Sequence, residues 1–129
     1  MKLCLDTNIY SAFKNGNGKI RDILENADEI LISVTVLGEL YSGFQIGSLT
    51  EKNLIELDDF LSKPGVSIVE INKGIAFRYG FIIKELRKQG TPIPTNDIWI
   101  AASAMETGSI LLSNDKHFKQ VSGLLVLDF

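Results

Sequence analysis

Residues 3–6, Leu3-Cys4-Leu5-Asp6, and residues 110–115, Ile110-Leu111-Leu112-Ser113-Asn114-Asp115, share one form: a short apolar run that leads into an aspartate. Runs of this length, apolar without alternation, suit strands covered on both faces, as in a parallel sheet with helices on either side. If the two strands run parallel, Asp6 and Asp115 fall on the same edge of the sheet. That edge, beyond the carboxyl ends of the strands, is where open parallel sheets bind ligands.

Working outward, residues 30–34, 66–71 and 124–127 are further apolar runs of strand length, rich in branched side chains. Helical patterns fill the intervals at 8–14, 19–26, 35–46, 51–62, 73–89 and 96–107. In the fifth of these Ile75, Tyr79, Ile82, Ile83 and Leu86 form an apolar stripe, with Lys84, Arg87 and Lys88 opposite it. The sixth, carrying Ile98, Trp99, Ile100, Ala101, Ala102, Ala104 and Met105, is apolar nearly all round and is expected to be deeply buried. Turn and stop signals at Asn15-Gly16-Asn17-Gly18, Lys63-Pro64-Gly65, Gly90-Thr91-Pro92-Ile93-Pro94 and Gly108 separate the segments. No repeat or low-complexity tract interrupts the chain. The expectation is a single α/β domain over residues 1–129, three-layer α/β/α, with a mainly parallel five-stranded sheet.

Bulk properties narrow the function. A chain of 129 residues with 45% hydrophobic and 22% charged residues has the composition of a folded domain rather than a disordered one. Cys4 is the sole cysteine, which excludes an internal disulfide and any Cys/His site for structural zinc. With no leader-like opening and no apolar run of membrane-spanning length, the expected location is the cytoplasm, away from membranes. The formal net charge of -3 argues against nucleic acid as a partner. Bound metal changes that sum: one divalent cation would bring it to about -1 and two to about +1.

Two further acids matter. Asp97 stands beside Asn96 at the start of the most apolar helix, and Glu39 lies one turn beyond Thr35 within the third. Each of the four acids has an ordinary explanation when taken alone. Asp6 and Asp97 suit helix caps, Asp115 suits a turn, and Glu39 falls opposite the apolar stripe of its helix, where a solvated face accounts for it. The combination is less ordinary. Carboxylates brought together repel one another and stay ionised only if a cation is supplied, and hard oxygen donors select Mg²⁺ or Mn²⁺. A site of that kind hydrolyses phosphodiesters.

The stretches Leu5-Asp6-Thr7-Asn8, Gly38-Glu39-Leu40, Asn96-Asp97-Ile98-Trp99-Ile100-Ala101-Ala102 and Leu112-Ser113-Asn114-Asp115-Lys116-His117-Phe118 resemble, in order and spacing, the four motifs of PIN-domain ribonucleases. Within that family the chain is most similar to the VapC toxins of toxin–antitoxin pairs, over essentially its whole length. The resemblance implies an acidic metal centre of Asp6, Glu39, Asp97 and Asp115. In it, Asp6, Asp97 and Asp115 are the more direct ligands, and Glu39 completes the cluster or binds through water. It also implies that Thr7, Asn8, Ser113 and Asn114 orient the carboxylates from behind, and that Mg²⁺, replaceable by Mn²⁺, is the cofactor. The implied reaction is in-line hydrolysis of RNA to 5′-phosphate and 3′-hydroxyl ends. The implied partners are RNA, a cognate antitoxin and a second copy in a homodimer. Tyr41, Phe44, Ile46, Leu54, Ile55 and Leu57 could offer the antitoxin an apolar groove, although ordinary core packing is the better explanation for most of them. Lys84, Arg87, Lys88, Lys116 and Lys119 could follow RNA phosphates.

Other readings are weaker. Gly16-Asn17-Gly18 begins a dinucleotide fingerprint, but Arg21 replaces its third glycine. His117 is read as a solvent-facing loop residue, since metal-activated water needs no histidine base. Cys4, inside an apolar strand, is read as a buried hydrophobe. A receiver-type signalling domain would need an aspartate after the third strand, where Asn72-Lys73 stands. A PIN domain kept only for binding would not need all four acids. A housekeeping RNA-processing nuclease remains the nearest alternative to a toxin.

Overall fold

The computed structural model describes residues 1–129. Strands β1 (Lys2–Leu5), β2 (Glu29–Ser33), β3 (Val66–Val69), β4 (Ile110–Leu112) and β5 (Val126–Leu127) form one sheet in the order β3-β2-β1-β4-β5. Every adjacent pair is parallel. The connecting helices are α1 (Thr7–Lys14), α2 (Gly18–Glu25), α3 (Val34–Ile46), α4 (Thr50–Leu61), α5 (Lys73–Gln89) and α6 (Thr95–Glu106), and a 3₁₀ helix, Lys116–Gln120, follows β4. Receiver domains use the order 2-1-3-4-5, so this topology is a different one.

The central strand shows why the sheet has helices on both faces. Leu3, Cys4 and Leu5 are wholly buried. Successive strand side chains point to opposite sides, so both faces at β1 are covered. Leu111 and Leu112 of β4 repeat the pattern. On α5, Ile75, Ile82 and Leu86 are buried as the stripe requires, while Lys84, Arg87 and Lys88 face solvent. Gly90, at φ +73°, ends this helix in the left-handed conformation that glycine adopts without a Cβ clash. Tyr79 of α5 stacks on Trp99 of α6 with ring centroids 3.8 Å apart. Helix α6 is the most buried: Ile98, Ile100, Ala101, Ala102, Ser103 and Ala104 are all inside.

Chain direction creates the functional edge. From β1 the chain steps outward to β2 and β3, then returns across the sheet to place β4 on the other side of β1. The reversal lies between β1 and β4, and such a switch point opens a crevice at the carboxyl ends of the strands. The backbone N–H of Asp6 continues the ladder by donating to Leu112 O at 3.2 Å. The residues after β1 and β4 are thereby held side by side.

Two strands are shorter than expected. The run at 66–71 is regular only to Val69, because β3 is an edge strand with a neighbour on one side, and Ile68 is 48% exposed. The run at 124–127 keeps only Val126 and Leu127 as β5, although Leu111 N still donates to Leu125 O at 2.9 Å. Short edges limit unwanted pairing with other chains.

Candidate acidic active site

Asp6 ends β1 and caps α1. Its Oδ1 accepts from the Thr7 backbone N–H at 2.8 Å, and its Oδ2 accepts from the Ser113 hydroxyl at 2.7 Å. The capping expectation and the cluster expectation therefore hold together for this residue. The residue is only 6% exposed. Burial raises its pKa above the usual carboxylate value. The hydrogen bonds from Ser113 and Thr7 oppose that rise, and the charges of Asp97 and Asp115 add to it.

Asp97 lies in the first turn of α6, but Pro94 occupies the cap position and no side chain caps the helix. The carboxylate is free for other contacts, and its Oδ2 lies 2.9 Å from His117 Nδ1. Burial again raises the pKa. The bond from His117 lowers it, Asp115 raises it, the charge of His117 lowers it and Glu39 raises it slightly. Asp115 caps the 3₁₀ helix by accepting from His117 N at 2.9 Å, and its own N–H donates to Ser113 Oγ at 3.0 Å. Glu39, half-buried on α3, accepts from the Thr7 hydroxyl at 2.7 Å. A solvated helix face does not describe it.

The four expected acids thus meet at the switch point. Thr7 and Ser113 are the residues that tie them together: Thr7 joins Asp6 to Glu39, and Ser113 joins Asp6 to Asp115. Asn8 and Asn114 make no hydrogen bond to the carboxylates. They line a cavity beside them, and Asn114 Oδ1 accepts from Phe129 N at 3.1 Å.

His117 is the residue that local reasoning set aside. Its ring lies 2.9 Å from Asp97 and 3.3 Å from Asp115, although 48% of the side chain remains exposed. Ligating atoms of Asp97, Asp115 and His117 all fall within 4.8 Å of one another, close enough to hold one metal ion. Asp6 and Glu39 stand outside that group. The signal available in the sequence was the spacing Asp115-Lys116-His117, since a tight turn capped by its own aspartate brings the second residue back over the first.

This donor set suits a hard divalent cation. No lysine or arginine pairs with any of the four carboxylates, and His117 is the only basic side chain in contact with them. Two of the carboxylates, Asp6 and Asp97, are held back from water and against their neighbours' charge, which a cation would relieve. Cys4 is no competitor as a reactive group: burial, with help from the charge of Asp6, pushes its thiol up to about 12.

Comparison with known proteins gives a consistent picture. Residues 3–124 match the family profile described as PIN domain. The chain is 35% identical over 127 residues to Ribonuclease VapC2 of Haemophilus influenzae, covering 96% of this chain and 95% of that protein. It is 31% identical over 132 residues to the tRNA(fMet)-specific endonuclease VapC of Shigella flexneri, covering 100% of this chain and 98% of that protein. Among solved structures it superposes on a chain of VapBC2 from Rickettsia felis, crystallised with a DNA fragment from their promoter. The TM-score is 0.89 at 31% identity, covering 99% of this chain and 98% of that one. On the strength of the profile match and these full-length likenesses, the chain belongs to the PIN domain family.

Proposed function

We propose that the chain is a Mg²⁺-dependent endoribonuclease and the toxin of a toxin–antitoxin pair, with residues 1–129 acting as one PIN domain. The observation that carries this reading is the meeting of Asp6, Glu39, Asp97 and Asp115, drawn from four separate segments, at one sheet edge without a lysine or arginine counter-charge. Asp6, Asp97 and Asp115 would hold the ion, and Glu39 would complete its surroundings directly or through water. Mg²⁺ bound there, or Mn²⁺ in its place, supplies Lewis-acid polarisation of the phosphodiester and a more acidic water. Thr7 and Ser113 keep the carboxylates aimed at the crevice, and His117 Nδ1 lies against Asp97 and Asp115.

The relatives named as ribonuclease and as tRNA-specific endonuclease support RNA as the substrate. The VapBC complexes among the similar structures support a cognate antitoxin as partner, and full-length likeness to such toxins favours this reading over a housekeeping nuclease. Tyr41, Ile46, Leu49 and Ile55, exposed on and between α3 and α4, give an antitoxin peptide apolar surface to cover. Leu57 is wholly buried and belongs to the core. Exposed Phe77 and Phe81 on α5 supply apolar surface for a homodimer. No helix is long and apolar enough to cross a membrane, and a cytoplasmic site of action fits an RNA target.

The test is cleavage of single-stranded RNA by the purified chain, with the new ends sequenced. Cleavage is expected with Mg²⁺ or Mn²⁺, leaving 5′-phosphate and 3′-hydroxyl ends, and should stop on chelation. Expression without an antitoxin should arrest growth, and a folded Asp115→Ala protein should not. Full RNA cleavage in chelator would remove the basis of the proposal.

A further inference from the structure

The turn Asp115-Lys116-His117 carries the only histidine of the chain into the acidic cluster. The His117 backbone N–H donates to Asp115 Oδ1 at 2.9 Å, and the Asp115 N–H donates to Ser113 Oγ at 3.0 Å, so the turn is pinned just beyond the end of β4. The imidazole is thereby laid across two carboxylates from different elements. Its Nδ1 lies 2.9 Å from Asp97 Oδ2 on α6 and 3.3 Å from Asp115 Oδ1.

A hydrogen bond accounts for only part of this placement. Nδ1 carries at most one hydrogen, which cannot be well aligned with both oxygens at once. Core packing does not account for it either, because 48% of the His117 side chain is exposed. Three donor atoms converging from three residues is what a cation requires. Ligands on adjacent corners of a six-coordinate shell, with bonds of roughly 2.0–2.1 Å, stand about 3 Å apart. The two separations at Nδ1 are close to that value, and the tautomer protonated at Nε2 presents a lone pair there. Neither Asp97 Oδ1 nor Asp115 Oδ2 accepts a hydrogen bond, so both carboxylates retain coordinating capacity.

Resting on the metal-dependent nuclease reading above, we infer that His117 is a direct nitrogen ligand of the ion, and that it makes this site favour Mn²⁺ and the later first-row divalent ions over Mg²⁺. Ligand chemistry decides the preference. Mg²⁺ takes oxygen ligands and keeps several waters, so an imidazole adds little to its binding. Imidazole suits transition ions, whose affinity for a mixed nitrogen and oxygen site rises from Mn²⁺ toward Cu²⁺. Carboxylates alone make a site for hard ions, and one nitrogen among them tilts the balance.

The experiment uses the full chain without an affinity tag and without RNA, with Mn²⁺ and Mg²⁺ as the probes. Because the chain has a single histidine, labelling with ¹⁵N-histidine changes only His117 among the side chains that could bind through imidazole. Pulsed electron paramagnetic resonance of bound Mn²⁺ should show a directly coordinated nitrogen whose coupling changes from ¹⁴N to ¹⁵N on labelling. His117→Gln keeps an N–H donor for Asp97 but removes the imidazole. By calorimetry it should weaken Mn²⁺ binding by about tenfold and Mg²⁺ binding by less than about threefold, with the nitrogen coupling gone. Asp97→Asn should weaken both ions. Bound Mn²⁺ without histidine nitrogen coupling, or equal weakening of the two ions in His117→Gln, would overturn the ligand assignment and leave the nuclease reading standing. Failure of the wild-type chain to bind either ion, together with absence of metal-dependent RNA cleavage, would overturn both.

Discussion

The Thr7 side chain spans 32 positions of sequence by donating to Glu39 Oε1, while its backbone N–H donates to Asp6. Without that hydroxyl, Glu39 would be a long, rotatable side chain on the rim of the cluster, and its carboxylate would spend little time near the others. Thr7→Val keeps the shape and removes the donor. Ligand-orienting partners of this kind typically contribute about 10–100-fold in metal affinity or activity. The expected result is a loss of that size in RNA cleavage with a shift in the Mg²⁺ titration, a stability change of about 1 kcal/mol or less, and recovery with Thr7→Ser. Equal activity of Thr7→Val and wild type would detach Glu39 from the site. Ser113 performs the corresponding task on the other side, donating to Asp6 and accepting from the Asp115 N–H.

Helix α6 sets where Asp97 can stand. Its inner residues Ala101, Ala102 and Ala104 are fully buried, so the helix approaches the sheet and α5 closely, and Asp97 rides at its exposed end. A close-packed interior has no room for added methylenes. Ala102→Leu should therefore destabilise the fold by about 1–3 kcal/mol in urea unfolding, and cleavage should weaken as α6 is displaced. A variant as stable as wild type would show that the interface around α6 is looser than its burial implies. Where small residues make the contact, side-chain volume rather than hydrophobicity carries the information.

On the scale of the whole molecule, the charged forms of Asp6 and Asp97 oppose folding. The pKa values of Asp6 and Asp97 are raised in the folded chain, chiefly by burial. The folded state then binds more protons than the unfolded one between the ordinary carboxylate value and the raised value, so stability from these groups falls as pH rises through that window. In chelator, the melting temperature should therefore drop from mildly acidic toward neutral pH, and Asp97→Asn should flatten the drop. On the proposed reading, Mg²⁺ at neutral pH should raise the melting temperature by several degrees at concentrations well above its Kd, as any ion does that binds the folded chain alone. Asp97→Asn should lose most of that rise. Identical melting curves in chelator and millimolar Mg²⁺ would mean that the carboxylates do not form a metal site.

Much of this arrangement was legible in the order of residues. The apolar runs, the stripe on α5, the all-round apolarity of α6 and the glycine stop at Gly90 are local patterns, set by neighbours within a few positions, and they mark elements whatever the rest of the chain does. They also placed Asp6 and Asp115 just beyond strand ends. Which strands lie side by side is a different kind of fact, decided by the burial of surfaces far apart in sequence. The return of β4 to the flank of β1 made Asp6 and Asp115 neighbours, the packing of α1 against α3 drew Glu39 onto Thr7, and the approach of α6 to the turn after β4 changed His117 from a loop residue into a contact of two carboxylates. The cavity walled by Asn8, Asn17 and Asn114 has the same origin, for no spacing along the chain announces a space that exists only between packed elements.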